Sequence, residues 1–188
     1  MTNITMEDLR SFWKECLGCK LGSTRKNMVF GEGAVPARIF FIGEGPGAQE
    51  DEQGRPFVGK AGQLLDRMIE AMGLTRDQIY IGNIVKCRPP GNRDPETDEM
   101  LSCMPVLERQ IELVRPEVIV SLGRISAQVL LSTTRSLSKL RGSWHTYGTI
   151  PLLATYHPAY LLRNPAAKKA AWEDLQMVMK QLNLAGNT

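Results

Sequence analysis

The sequence predicts an α/β protein, a three-layer αβα arrangement around a central, mainly parallel four-stranded sheet. Four short runs rich in β-branched and aromatic residues, bounded by Gly or Pro, read as buried strands. Helical stripes fall between them, and strands alternating with helices make a mainly parallel sheet covered on both faces. The most distinctive polar and glycine-rich runs stand where the strands end, which is where ligands bind in such sheets.

The elements follow in order. The N-terminus, MTNITMEDLRSFWKEC, is polar and amphipathic and lacks the charged start and apolar run of a secretion signal. RIFFIG (38–43) is the first strand, and GEGPG follows it. KAGQLLDRMIEAMGL (60–74) carries Leu64, Leu65, Met68, Ile69 and Met72 as a helical stripe, with Gly73 as its C-cap. QIYIGNIV (78–85) is the second strand, with Asn83 to Arg88 at its end. A second helix runs from about Glu96 to Val114 and is stopped by Pro116. EVIVSLG (117–123) is the third strand, followed by a short helix through ISAQVLL. LRGSWHTYG reads as a hairpin loop with His145 on the surface. TIPLLATYH (149–157) is the fourth strand and leads into HPAYLLR; KKAAWEDLQMVMKQL closes the chain as a helix. One site assembled from several strand ends is the economical reading.

The totals bound the class. A chain of 188 residues suits one compact domain, expected to span 1–188. Its formal charge of +3 is mildly basic, which allows a polyanionic partner without demanding one. No stretch approaches the roughly 18–20 apolar residues needed to cross a bilayer. The expectation is a cytoplasmic protein with no membrane contact, where reducing conditions disfavour disulfides.

GRPFVGKAG (54–62) comes within one residue of the phosphate-loop pattern G-x-x-x-x-G-K-[ST], with Ala61 in place of the hydroxyl. A phosphate loop needs a buried strand before its first Gly. Here AQEDEQ precedes Gly54, too charged for such a strand and repulsive to triphosphate. The stretch belongs to another chemistry.

Cys16 and Cys19 form a C-x-x-C, Cys87 follows the second strand, and Cys103 lies sixteen residues further on. Four thiolates suit zinc or an iron–sulfur cluster, against the competing reading of four unrelated core thiols. Zinc sites more often use two tight pairs, so the spread second pair leans towards a cluster. Either would tie the N-terminal segment to the loop after the second strand.

Taken together, GEGPGAQED, GRPFVGKAG, NIVKCRPP with NR following, VIVSLG and HPAYLLR, in that order, resemble the family 4 uracil-DNA glycosylases, the iron–sulfur branch of that superfamily. The resemblance covers nearly the whole chain. Family 5 has a less acidic first motif, the crosslinking branch carries GEQPG with a His-containing insertion, and the cluster-free enzymes carry GQDPY. This chain has GEGPG, so Gly45 stands where the water-placing acid of the last group would be.

The resemblance implies one structural 4Fe–4S cluster on Cys16, Cys19, Cys87 and Cys103, and monofunctional removal of uracil from single- or double-stranded DNA in base excision repair. The alternative from another class is a non-catalytic iron–sulfur nucleic-acid-binding module. The resemblance further implies a nucleoid-associated prokaryotic monomer; nothing in the sequence marks a replication-clamp contact. The expected catalytic residues are His157, Glu44 and Asn83. His157, fixed by Pro158, would donate to uracil O2, and losing such a donor typically costs about 10²–10³ in rate. Asn83 would match uracil's O4 and N3–H with one amide and reject cytosine. Gly45, Glu50 and Phe57 complete the expected uracil pocket: Phe57 offers a stacking face, Glu50 would help to exclude thymine's methyl, and Glu44 would orient water or favour the cationic sugar. Leu161 or Leu162 would fill the space left by the extruded base. Lys60, Arg88 and Arg163 would hold phosphates, and Lys86, Arg93 and Arg124 also follow strand ends where phosphates would pass.

Overall fold

The computed structural model describes residues 4–185. Six strands form one sheet: β1 (Glu32–Gly33), β2 (Ile39–Gly43), β3 (Tyr80–Asn83), β4 (Val118–Leu122), β5 (Trp144–Tyr147) and β6 (Ile150–Thr155), in the order β1-β3-β2-β4-β6-β5. The four strands expected from the sequence are the middle four. They pair in parallel, with Gly43 opposite Asn83, Ile42 opposite Ser121 and Leu122 opposite Thr155. The sheet is wider than the four strands read from the sequence, because β1 and β5 add antiparallel edges. Both evade sequence pattern for a physical reason: β1 has two residues, and β5 is partly exposed along its whole length. His145 therefore sits on an edge strand, its Nε2 at 2.7 Å from the Leu140 carbonyl oxygen.

The helices are α1 (Met6–Trp13), α2 (Ala48–Gln53), α3 (Lys60–Ala71), α4 (Thr97–Val114), α5 (Arg124–Leu130), α6 (Leu137–Leu140), α7 (Pro158–Arg163) and α8 (Lys168–Gln181). The alternation of side chains along the middle strands sorts them into two cores. Phe40, Ile42, Tyr80, Ile119 and Leu152 face Leu107, Ile111 and Val114 of α4 and Leu130 of α5. Ile39, Phe41, Ile81, Val120 and Leu153 face Leu65 and Ile69 of α3 and Leu175 and Val178 of α8. Three layers result.

Helix ends follow local chemistry. Thr5 and Asp8 cap α1 reciprocally, and Leu9 then packs with Phe30 and Val106 to hold α1 against α4. Glu96 and Glu99 cap α4, which ends at Arg115 in the left-handed region (φ 50°) just before Pro116. The charged AQEDEQ run is α2, and Gly54 is its left-handed C-cap. A helix, not a strand, thus precedes the near-match to a phosphate loop.

One buried ion pair pins α8 to the sheet. Asp174, 1% exposed, accepts two hydrogen bonds from Arg141 (3.0 and 2.9 Å) and one from the Thr155 hydroxyl (2.7 Å). Removing one partner leaves the other's charge unpaired in a half-dry site. Asp174→Ala is therefore expected to lower the unfolding free energy by about 3–5 kcal/mol. Urea unfolding measures this, and an unchanged midpoint would show that the pair contributes nothing.

Candidate active site

A cleft of about 670 Å³ opens at the carboxyl edge of the parallel strands. It takes Glu44 and Glu50 from the segment after β2, Asn83 from the end of β3, Gly123 and Arg124 after β4, and His157, Tyr160 and Arg163 after β6. Phe57 reaches it from the loop between α2 and α3. The four strand ends thus share one cleft.

His157 is the N-cap of α7, and its Nδ1 accepts a hydrogen bond from the Ala159 amide at 3.1 Å. An accepting Nδ1 carries no proton, so the neutral ring bears its hydrogen on Nε2. Burial, reinforced by the nearby Arg163 guanidinium, pushes the imidazole down from 6.5 to about 4, with Glu50 opposing. The site therefore holds a neutral N–H donor at neutral pH.

Asn83 is 1% exposed, and its Oδ1 has no hydrogen-bond partner. A buried acceptor left open costs about 1–3 kcal/mol, a cost that a ligand N–H removes. Phe57 stands close by: a Cβ built on Gly43 would lie 2.4 Å from Asn83 Oδ1 and 2.5 Å from the Phe57 ring. That ring stacks on His157, with centroids 5.5 Å apart and planes 30° apart. Phe57 adopts φ 51°, a backbone conformation that costs a non-glycine residue about 1–3 kcal/mol. Its ring is 4% exposed and belongs to the core on the α3–α8 face while also lining the cleft. A donor, an open acceptor and an aromatic face converge here.

Glu44 lines the same cleft and accepts from the Ile125 amide at 3.0 Å, at the start of α5. Burial raises its carboxyl above the usual range, with the Ile125 hydrogen bond opposing. Gly123 separates Glu44 from His157. It adopts φ 98°, and a Cβ there would lie 2.5 Å from Glu44 Oε1 and 3.1 Å from His157 Cβ, so only glycine lets the two approach. A Cβ at Gly45 would lie 2.8 Å from Val85 Cγ2, so any side chain there would require Val85 to shift. Glu50 lines the cleft, yet its Oε1 accepts from the Val58 and Gly59 amides, both at 3.0 Å. That carboxylate braces the Phe57 loop and caps α3.

The residues expected to face DNA divide. Arg163 lines the cleft and is exposed; Lys60 is exposed at the first turn of α3, and Arg88, itself not lining the cleft, bonds Asn92, which does. Leu162 is 41% exposed, but Leu161 departs from the expectation: it is 1% exposed and packs on Leu64 and Ala171. A step of about 100° per residue around α7 turns these neighbouring leucines to different faces, so of the pair Leu162 is the exposed one. Lys86 departs as well. It is 1% exposed, and its Nζ donates to the Asn83 carbonyl (2.8 Å) and to Gln110 (2.6 Å), which removes it from any phosphate. Arg93 pairs with Glu99 and Arg124 with Asp94 at the cleft wall. Tyr156 and Tyr160, stacked at 5.0 Å, also line the cleft, and the sequence pattern alone does not single them out. Their position beside His157 in the strand-end motif was the available signal.

Cys19, Cys87 and Cys103 adjoin one core cluster, and Cys16 precedes the single turn Lys20–Ser23 that Cys19 caps. Cys16 Sγ accepts from the Gly18 amide at 3.3 Å, and Cys87 Sγ from Arg25 at 3.2 Å. Arg25 also binds the carbonyls of Cys16 and Lys14, linking this segment to the loop after β3. N–H donors and a guanidinium around sulfur suit thiolate ligands. Among the described residues no three potential ligands converge on one metal ion.

Residues 30–176 match the family model of the uracil DNA glycosylase superfamily. The chain is 49% identical over 179 residues to a type-4 uracil-DNA glycosylase of Saccharolobus solfataricus, covering 90% of this chain and 83% of that one. It is 42% identical over 177 residues to the Thermotoga maritima type-4 enzyme, 91% of each chain. A type-5 uracil-DNA glycosylase of Pyrobaculum aerophilum is 31% identical over 148 residues, 69% of this chain and 64% of its own.

The His157 geometry makes a direct prediction. Between pH 6.5 and about 4 the unfolded chain binds a proton that native His157 refuses, so this residue's effect on stability is absent above that window and destabilising as pH falls through it. The imidazole should titrate near 4 and show the Nε2–H tautomer in long-range ¹H–¹⁵N spectra; a midpoint near 6.5 would overturn the assignment. The cleft at four parallel strand ends, the match to the superfamily model and the identity with type-4 enzymes together place this chain in the uracil-DNA glycosylase superfamily, in its type-4 branch.

Proposed function

We propose that this protein hydrolyses the N-glycosidic bond of deoxyuridine in DNA, releasing uracil and leaving an abasic site. The observation that carries the reading is the open Oδ1 of buried Asn83 beside the neutral ring of His157 and the face of Phe57.

The chemistry follows from these groups. The target nucleotide leaves the stack at a cost of a few kcal/mol, and Leu162 fills its place while Arg163, Lys60 and Arg88 hold phosphates. Uracil stacks on Phe57. Asn83 Oδ1 accepts from uracil N3–H and its amide donates to O4; cytosine presents an acceptor at N3 and a donor at C4, so both contacts turn repulsive. As the C1′–N1 bond breaks, its electron pair moves into the pyrimidine and charge gathers on O2, where His157 Nε2–H donates. A neutral donor suits this task, since the ring need not give up its proton. Water then bonds to the cationic C1′ and loses a proton, with Glu44 as the group that orients it and receives the proton. Gly45 supplies no acid, and of the cleft carboxylates Glu50 is engaged by the Val58 and Gly59 amides and Asp94 by Arg124, which favours Glu44 for that role. Glu50 acts on selectivity through the loop it braces. No lysine lines the cleft among the described residues, which supports water over a Schiff base as nucleophile.

We also propose that Cys16, Cys19, Cys87 and Cys103 hold one 4Fe–4S cluster. Its support is the all-thiolate donor set and the N–H donors at Cys16 and Cys87. Bound there, the cluster would supply structural bracing and tie the N-terminal segment to the loop carrying Arg88, within one domain spanning the chain. A monomer is the proposed working state.

A uracil-containing oligonucleotide, treated with the protein and then alkali, should be cut at the uracil; intact strands with retained binding would return a non-catalytic binding module instead. His157→Ala is expected to lower the single-turnover rate by about 10²–10³ with modest loss of DNA binding. Asn83→Asp should shift preference from uracil towards cytosine, and unchanged selectivity would sink the edge reading. Purified protein should contain iron and acid-labile sulfide; zinc without iron would refute the cluster while leaving the activity open.

A further inference from the structure

We infer that Arg76 is a positioning residue for the base-stacking face of Phe57, an inference that rests on the uracil-excision reading above. Phe57 holds a backbone conformation that L side chains rarely adopt, so something outside the residue must hold it. Arg76 lies in the single turn Arg76–Gln78, nineteen residues further along the chain, and does not line the cleft. Its guanidinium donates through Nη1 to the Phe57 carbonyl at 2.9 Å and through Nη2 to the Pro56 carbonyl. The remaining donors are fixed from behind: Nε binds Glu32 of β1 at 2.7 Å, and Nη1 also binds Asp66 of α3 at 2.8 Å. Two successive carbonyls are thus gripped by one planar fork, itself locked by carboxylates from two other elements.

The opposite side of the peptide is held too. Glu50 takes the amides of Val58 and Gly59, so the unit after Phe57 cannot rotate without breaking hydrogen bonds at both ends. Gly62 closes the space beneath, since a Cβ there would lie 1.9 Å from the Phe57 oxygen. The result fixes the ring against His157, where a flat base is to stack. Lysine could not substitute, because one ammonium cannot present two parallel N–H groups to adjacent carbonyls. Arg76 acts on the base through Phe57 alone, and that is the testable content.

A double-mutant cycle decides it, with Arg76→Met, Phe57→Ala and the combined variant assayed for single-turnover uracil release and for inhibition by free uracil. Arg76→Met is expected to weaken inhibition by uracil about tenfold, the scale of one lost base–aromatic stack, and to slow release. In the Phe57→Ala background the same change should add less than about twofold, because the residue it positions is gone. Equal loss in both backgrounds, with an active wild type, would overturn the role of Arg76 and leave the function intact. A wild type that releases no uracil would overturn the functional reading and this inference with it. Should Arg76→Met not fold, Arg76→Lys runs the same cycle, since it keeps the charge beside Glu32 and Asp66 and loses the fork.

Discussion

The parallel pairing of β2 with β3 and β4, and of β4 with β6, is the constraint on which the site depends. Parallel register sends all four carboxyl ends to one edge of the sheet, so residues separated by more than a hundred positions share one cleft. Both faces must then be covered, which α4 and α5 do on one side and α3 and α8 on the other. The two apolar cores fix the strands whose ends form the cleft.

Several cleft groups sit in states that weaken the fold taken alone. Asn83 keeps a buried oxygen without a partner, His157 is held neutral by burial, and Phe57 adopts a left-handed backbone. Each is a small local cost, and all three groups line the same cleft. The pattern explains why polar groups near the site look overbound from behind. Lys86 grips the Asn83 carbonyl, Ala159 fixes the His157 tautomer, and Glu50 and Arg76 hold the Phe57 loop. Preorganisation of this kind leaves little for the site to reorganise during reaction.

The N-terminal segment shows how peripheral structure is recruited to the same edge. α1 docks through Leu9 against Phe30 and Val106, and Arg25 ties the backbone near Cys16 to the Cys87 sulfur. Cys87 lies in the segment that leaves Asn83, so the Arg25 tie to its sulfur also braces the end of β3.

Much was legible in the sequence because its signals are local. The four middle strands announce themselves by apolar runs, α3 and α4 by helical stripes and their stops, and His157, Asn83 and Glu44 by standing at strand ends. The acidic run before Gly54 was enough to reject a phosphate loop. What sequence could not supply was set by contacts distant along the chain. The edge strands β1 and β5 exist through pairing with β3 and β6, with too few residues or too mixed a pattern to show alone. Burial of Leu161 and Lys86, set by the helix face and the sheet beneath them, separates two leucines and several basic residues that composition treats alike. The bracing of Phe57 by Arg76, Glu32 and Asp66 joins three elements, and no spacing rule records it. The sequence by itself determined which residues could form a donor, an acceptor and a stacking face; the tertiary structure alone decided their tautomer, orientation and support, because those depend on hydrogen bonds closed only when the sheet assembles.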